Sequence, residues 1–224
     1  MRPRQYRHFG IFTHTGETDS VMRQPGLASL LQLKNRFSAV AGRAAATCGW
    51  FSPDCQMSNT KKFKAMITEK LQKEFNEQIT AELWSSQLYL QMAFFLKKEG
   101  WDGFAHWMEK QSGEEKEHAC SMADFVIKRG GEVKLQMIDV VPCGWGSVLE
   151  IFEHVAEHER HVSKLIDDLV AVAHDEKDNA AQDFLWGFVR EQVEEEATAD
   201  AIVAKVKHAG EAGLTFVDAE LAKR

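Results

Sequence analysis

From Thr68 to Val141 the chain carries no proline, and its apolar residues recur at three- and four-residue spacing. A helical period sustained over that length admits few folds other than long helices folded back on one another. The first helix is expected over about Thr68 to Lys98, with Leu71, Phe75, Ile79, Glu82, Ser86, Tyr89, Ala93 and Leu96 on one stripe. The turn EGWDG ends it and offers Asp102 as the N-cap of a second helix, which runs to Arg129 and stops at Gly130 and Gly131.

The segment from Gly130 to Gly146, containing VKLQMIDVVPCGWG, is too long and apolar for a tight helical hairpin and reads as a crossover strapped along a bundle. Ser147 and Glu150 form a capping box for a third helix reaching about His174. The turn DEKDN leads to a fourth, about Ala180 to His208, ended near Gly210, and a short fifth is expected over Leu214 to Ala222. Helices of this size are about 40 Å long or more at 1.5 Å per residue. The expected fold is therefore all-α: two antiparallel helical hairpins joined by one long crossover into a four-helix bundle, with a short C-terminal fifth helix. Gly113 and Gly187 fall inside helices, where close helix–helix approach is the expected reason for them.

Charge divides the chain at about residue 65. Residues 1 to 65 hold ten Lys/Arg against three Asp/Glu, and residues 66 to 224 hold seventeen against thirty-one. The first segment also contains three of the four prolines and no sustained period, so 1–65 is expected to be a basic extension without a stable fold, and 66–224 the folded domain. Its Arg-rich, acid-poor composition fits a transit-type leader. A start codon upstream of the protein's own is the preferred reading, since Met57 and Met66 stand just before the folded pattern. No apolar run approaches membrane-spanning length, so no membrane partner is expected. Cys48, Cys55, Cys120 and Cys143 lack CxxC spacing, which leaves idle thiols and a reducing, cytoplasmic setting as the expectation.

The stretch QSGEEKEHACSM is an ordinary charge run until it is placed on its helix. Phe104, Met108, Gln111, Glu115, His118, Met122, Phe125 and Arg129 share a stripe, so Glu115 and His118 face the core while Lys116 and Glu117 point away. An ionised carboxylate in a core is costly unless it is paired or binds a metal. The third helix's stripe reads Ile151, Val155, Glu159, Val162, Ile166, Leu169 and Ala173; the fourth reads Phe184, Phe188, Gln192, Glu195, Ala199, Ile202 and Val206. Each apolar face is thus interrupted near its middle by oxygen or imidazole donors. The set Glu82, Glu115, His118, Glu159, Gln192 and Glu195 is rich in hard oxygen with a single imidazole, which suits iron better than a thiolate-preferring metal. Glu115 sits centrally enough to touch two ions. A merely hydrogen-bonded polar layer is the competing account.

The motifs AELWSSQLY, GEEKEHA, AEHERHV and REQVEEEA, in this order and on these helices, resemble the non-haem bacterial ferritins over about Met66 to Arg224. The resemblance implies a ferritin-like bundle, a hollow homo-oligomer of 24 subunits, and iron storage with ferroxidase activity on Fe²⁺ and O₂ as substrates. It implies that Glu82, Glu115 and His118 hold one iron of a di-iron centre. Glu115 then bridges to a second iron served by Glu159 and Glu195, with Gln192 close by and Tyr89 beside the centre. It further implies an additional iron site at Glu114, Glu191 and Glu194, in which Glu195 takes part, and a C-terminal segment GLTFVDAELAKR that lines the four-fold contacts. Haem is not expected: the position after the bridging Glu is Lys116, where bacterioferritins carry Met, and the fourth helix reads Gln192-Val-Glu-Glu195 instead of Glu-x-x-His. Two alternatives remain, a DNA-protecting mini-ferritin using the basic extension and a di-iron oxygenase on the same scaffold. Nucleic acid is the less expected partner, because these ligands converge within one bundle. His154, His158 and His161 read as facing outward from the third helix, and Trp84, Trp101, Trp107, Trp145 and Trp186 as packing residues.

Overall fold

The computed structural model describes residues 66–224, so the expectation for residues 1–65 lies outside the described residues. Among the described residues four helices follow in chain order: α1 Glu69–Lys98, α2 Asp102–Lys128, α3 Val148–Asp175 and α4 Asn179–Leu221. Helix α1 packs against α2 and α3 against α4, and the two hairpins meet through α2 with α4 and α1 with α3. Among the described residues there is no strand, and no helix is long and apolar enough to cross a membrane.

The helix ends follow local chemistry. Thr68 accepts the Leu71 N–H at 3.2 Å, Ser147 the Glu150 N–H at 3.1 Å, and Asp178 the Ala181 N–H at 3.0 Å, each satisfying a donor the helix leaves open. In the expected capping box, Glu150 returns its bond to the Gly146 N–H at 2.7 Å, not to Ser147. Asp102 is the first helical residue of α2 and not its cap, and the capping position, Trp101, makes no side-chain bond. Asp218 supplies the missing acceptor from the far end of the chain, taking the Phe104 N–H at 2.8 Å.

That contact explains Gly103. A Cβ there would lie 1.8 Å from the Asp218 carbonyl oxygen, so the C-terminal piece can dock only against a glycine. Helix α4 is continuous in span to Leu221 but breaks at Gly210, whose φ of 56° and ψ of −178° are not helical. The expected fifth helix is thus the part of this span beyond the break. Gly113 and Gly187, by contrast, face open space, and the close approach expected of them does not occur.

The crossover runs extended along α1. Asn76 accepts the Lys134 N–H at 2.7 Å and donates to the Glu132 carbonyl at 3.1 Å, while Gln72 accepts the Glu132 N–H at 2.8 Å. Leu135, Met137 and Val140 remain exposed on it.

The core is two apolar clusters, not one. The first contains Leu88, Met92, Phe104, Met108, Phe152, Val155 and Ile202, and the second Phe75, Ile79, Met122, Val126, Val162, Leu185 and Phe188. On every helix the residues between them are polar: Glu82 and Ser85, Gln111 and Glu115, His158 and Glu159, Gln192 and Glu195. The four interruptions foreseen in the sequence therefore lie at one depth, and they divide the hydrophobic interior.

Candidate metal centre

Glu82 and Glu115 come from the facing middles of α1 and α2, with His118 one turn beyond Glu115. One ligand atom from each lies within 4.8 Å of the others. Glu82 and Glu115 are 1% and 3% exposed, while His118 is half-buried. His118 Nδ1 stands 3.4 Å from Glu115 Oε2, and its Nε2 stands 3.1 Å from Glu191 Oε1. Gln78 donates to Glu82 Oε1 at 2.9 Å. The other oxygen of Glu82 and one of Glu115, both Oε2, are buried without a hydrogen-bond partner. Two buried carboxyls this close share a proton in the metal-free protein, and a cation between them can take that proton's place.

The second cluster is built on Glu159, 1% exposed on α3. Tyr89 donates its hydroxyl to Glu159 Oε1. Gln192 donates to Glu159 Oε2 at 3.2 Å. Gln111 of α2 donates to Glu195 Oε2 at 3.1 Å, which ties α2 to α4 across the site.

The electrostatics are those of acids crowded out of water. Burial, then the charge of Glu159, pushes the Glu115 carboxyl up to about 8. Burial likewise raises Glu159 to about 7, against the bonds from Tyr89 and Gln192 that lower it. Glu82 is driven well above the carboxylate range by burial and then by Glu115. Burial raises Glu195 too, opposed by the nearby Arg224 charge. Tyr89, fully enclosed beside Glu159, is held protonated far into alkaline pH by burial first and by that charge second. A bound cation reverses this pressure, because it favours every carboxylate in its ionised form.

Of the expected additional residues, Glu191 reaches His118, Glu114 reaches Arg224, and Glu194 is exposed. A cavity of about 420 Å³ opens beside them, lined by Glu114, Glu117, His118, Phe188 and Glu191 and floored by Gly187.

Two sequence readings need correction. His158 does not face outward: it is buried, and its Nε2 lies 2.9 Å from Ser85 Oγ. Ser85 Oγ in turn donates to the Ala81 carbonyl, so the histidine is the donor to Ser85. A bundle helix touches two neighbours, so its buried arc is wide enough to include a residue 100° from Glu159. Burial pushes the His158 ring down to about 3. His154 is also engaged, accepting from Trp145 Nε1 at 3.1 Å. Trp107 is buried as expected, but Trp186 is 47% exposed. Cys120 and Cys143 are free and exposed. Sequence reasoning also passed over Gln78, although its position one turn before Glu82 was a usable signal. It missed Arg224, for which the sequence holds no signal.

Among the described residues, four long helices around a layer of buried carboxylates, with His118 grouped beside Glu82 and Glu115, have the architecture of a carboxylate-type metal-binding bundle. The chain belongs to the ferritin family, whose model, described as a ferritin-like domain, matches residues 72–209. It is 66% identical over 159 residues to the bacterial non-heme ferritin of Bacteroides fragilis, a match spanning 71% of this chain and all of that protein. It is 32% identical over 158 residues to a probable bacterial non-heme ferritin-like protein of Haemophilus influenzae, covering 70% of this chain and 96% of the relative. Among solved structures, the open pore ferritin of Archaeoglobus fulgidus superposes with a TM-score of 0.69 at 48% identity, covering 70% of this chain and 98% of that one.

Proposed function

We propose that this protein stores iron, oxidising Fe²⁺ with O₂ at a di-iron centre inside each subunit and depositing the ferric product within a hollow assembly of 24 copies in the cytoplasm. The observation that carries the reading is the pair of orphaned buried oxygens, Oε2 of Glu82 and of Glu115, beside His118. Gln78 occupies the other oxygen of Glu82 and so turns Oε2 toward the site. Tyr89 and Gln192 fix the plane of Glu159.

Iron is the substrate. Two Fe²⁺ ions bind, one at Glu82, Glu115 and His118 and one at Glu115, Glu159 and Glu195, with Gln192 close to the second. Binding expels the protons that burial keeps on Glu115 and Glu159 near neutral pH, so the metals ionise their own ligands. Each ion gives one electron to O₂, and the ionised carboxylates stabilise the Fe³⁺ that results. Glu114, Glu191 and Glu194, with Glu195, form the additional site on the way to the mineral.

The test is aerobic Fe²⁺ loading of the purified full chain, followed by electron microscopy. Electron-dense cores inside hollow shells are expected. Oxidation that requires an organic substrate and leaves no core would replace storage with oxygenase chemistry, and retardation of plasmid DNA in a mobility assay at low and moderate salt would favour a DNA-protecting role.

A further inference from the structure

Beyond the C-terminal helical piece the chain lays Arg224 back along α2. Its guanidinium sits over the Trp107 ring, with Cζ 4.9 Å from the ring centroid. Nη1 donates to Gln111 Oε1, and Nη2 donates to Glu114 Oε2 at 2.8 Å. A main-chain oxygen of Arg224 stands 3.2 Å from His106 Nε2, which anchors the backbone as well.

Two of these partners, Trp107 and Gln111, are 2% and 1% exposed, so the guanidinium rests on the core and not on a mobile surface group. Gln111 carries the contact further. Its oxygen accepts from Arg224 while its nitrogen donates to Glu195 Oε2 at 3.1 Å, an order that fixes which way the amide points. Stacking on an aromatic face together with two in-plane donor bonds is a geometry that a guanidinium fills and an ammonium does not.

Glu114 and Glu195 are two of the carboxylates assigned above to the additional iron site. We infer that Arg224 is a tethered cation of that site, competing with a divalent cation for Glu114 and orienting Glu195 through Gln111. The inference rests on the proposed additional site. Iron arriving there must displace the guanidinium from Glu114, whereas of the residues assigned to the pair only Glu195 is reached by Arg224, and that through Gln111. The third ion is therefore held more weakly than the pair and is taken up only once free Fe²⁺ rises above what fills the pair.

The test is anaerobic calorimetric titration of the assembled full chain with Fe²⁺, comparing wild type, R224Q and R224K, with assembly followed by sedimentation. Wild type should show a stronger class for the pair and a weaker class for the third ion. R224Q should tighten the weaker class by about threefold, the scale of a partly exposed ion pair, and change the stronger class by less, since the pair meets Arg224 only through Gln111 and Glu195. R224K keeps the charge but loses the fork, and should tighten the weaker class by less. Weaker-class affinity identical to wild type in R224Q overturns the inference. If R224Q fails to assemble, an unchanged weaker class in R224K does so. A wild-type isotherm with the stronger class alone overturns both this inference and the additional site, and the absence of any Fe²⁺ binding overturns the proposed function itself.

Discussion

Two sets of glutamates one helical step apart behave in opposite ways. Glu82, Glu115 and Glu159 are at most 3% exposed, sit at the junction of two apolar clusters, and include oxygens with no partner. Glu114 and Glu191, with side chains 42% and 48% exposed, have water and a basic side chain each, Arg224 and His118. The buried set is pushed toward its protonated form, and the rim set stands half in water. The difference teaches that the chain accepts an energetic burden at one level of the bundle only, where a cation would remove it. On the function proposed above, a cation at the rim acids is held more loosely than one in the buried layer, and burial, not residue type, separates the site of oxidation from the site of passage.

Glu115 offers the sharpest break of that comparison. Glu115→Ala removes the one carboxylate assigned to both irons, and rapid Fe²⁺ oxidation should fall on the order of a hundredfold, since several kcal/mol of metal and charge stabilisation leave with it. The shell should still assemble, because the deleted group is a buried acid that strains the metal-free protein. Stopped-flow oxidation within a few-fold of wild type would show that the buried layer is not the reaction site.

The metal-free protein gives the next largest effect. Glu115 has a folded value of about 8 against 4.5 for the ordinary carboxyl, so between these values the folded state holds the extra proton. Its contribution to stability is complete below about pH 4.5 and is lost as pH rises through 8, by at most about 1.4 kcal/mol per pH unit. Thermal denaturation without metal should therefore show wild type losing more between pH 5.5 and 8 than Glu115→Gln does, and a bound divalent cation should cancel the loss. Parallel pH curves for the two proteins would mean that Glu115 is not under this pressure.

The two sets were not equally legible in the sequence. Glu82, Glu115, Glu159 and Gln192 each interrupt an apolar stripe, so helical periodicity alone put them inside, and the structure finds them buried at one depth. The helix boundaries were readable because Ser147 and the diglycine at Gly130 act on their nearest neighbours. What failed depended on distant chain. Asp102 reads as a cap because Asp218, which replaces it, lies 114 residues beyond Phe104, whose N–H it accepts. His158 was placed outside because a stripe one residue wide understates the buried arc of a helix with two neighbours. Arg224 reaches Gln111 and Glu114 only through the docking of the C-terminal piece, which no local pattern encodes.

His158 allows the comparison to be sharpened from within the buried layer, for it is buried like the acids but its Nε2 has a partner in Ser85. Ser85→Ala leaves its Nε2–H buried without an acceptor and should cost about 1–3 kcal/mol in chemical denaturation. The number of Fe²⁺ ions bound should not change. Loss of an iron together with that stability would make the His158 contact part of the metal site and erase the distinction between orphaned and satisfied groups.

The smallest effects belong to the rim, and their order is set by what each acid touches. Glu191 meets His118 Nε2 at 3.1 Å while Nδ1 of the same ring points at Glu115, so Glu191 orients a residue proposed to hold the pair from behind. Glu191→Ala should slow paired oxidation by a few-fold, less than the 10- to 100-fold that fully buried outer partners of metal ligands contribute, because Glu191 is half in water. Glu114 touches Arg224 and no ligand of the first iron, so Glu114→Ala should leave the rate of paired oxidation unchanged while altering the O₂ consumed per iron. Glu194 is exposed one turn beyond Glu191 and should affect neither rate nor pair affinity, only the passage of Fe³⁺ onward. Oxygen-electrode and stopped-flow measurements on the three variants check the ranking. Should Glu194→Ala slow the pair as much as Glu191→Ala, contact with His118 is not what transmits the effect, and the rim acts on the buried layer through its summed charge.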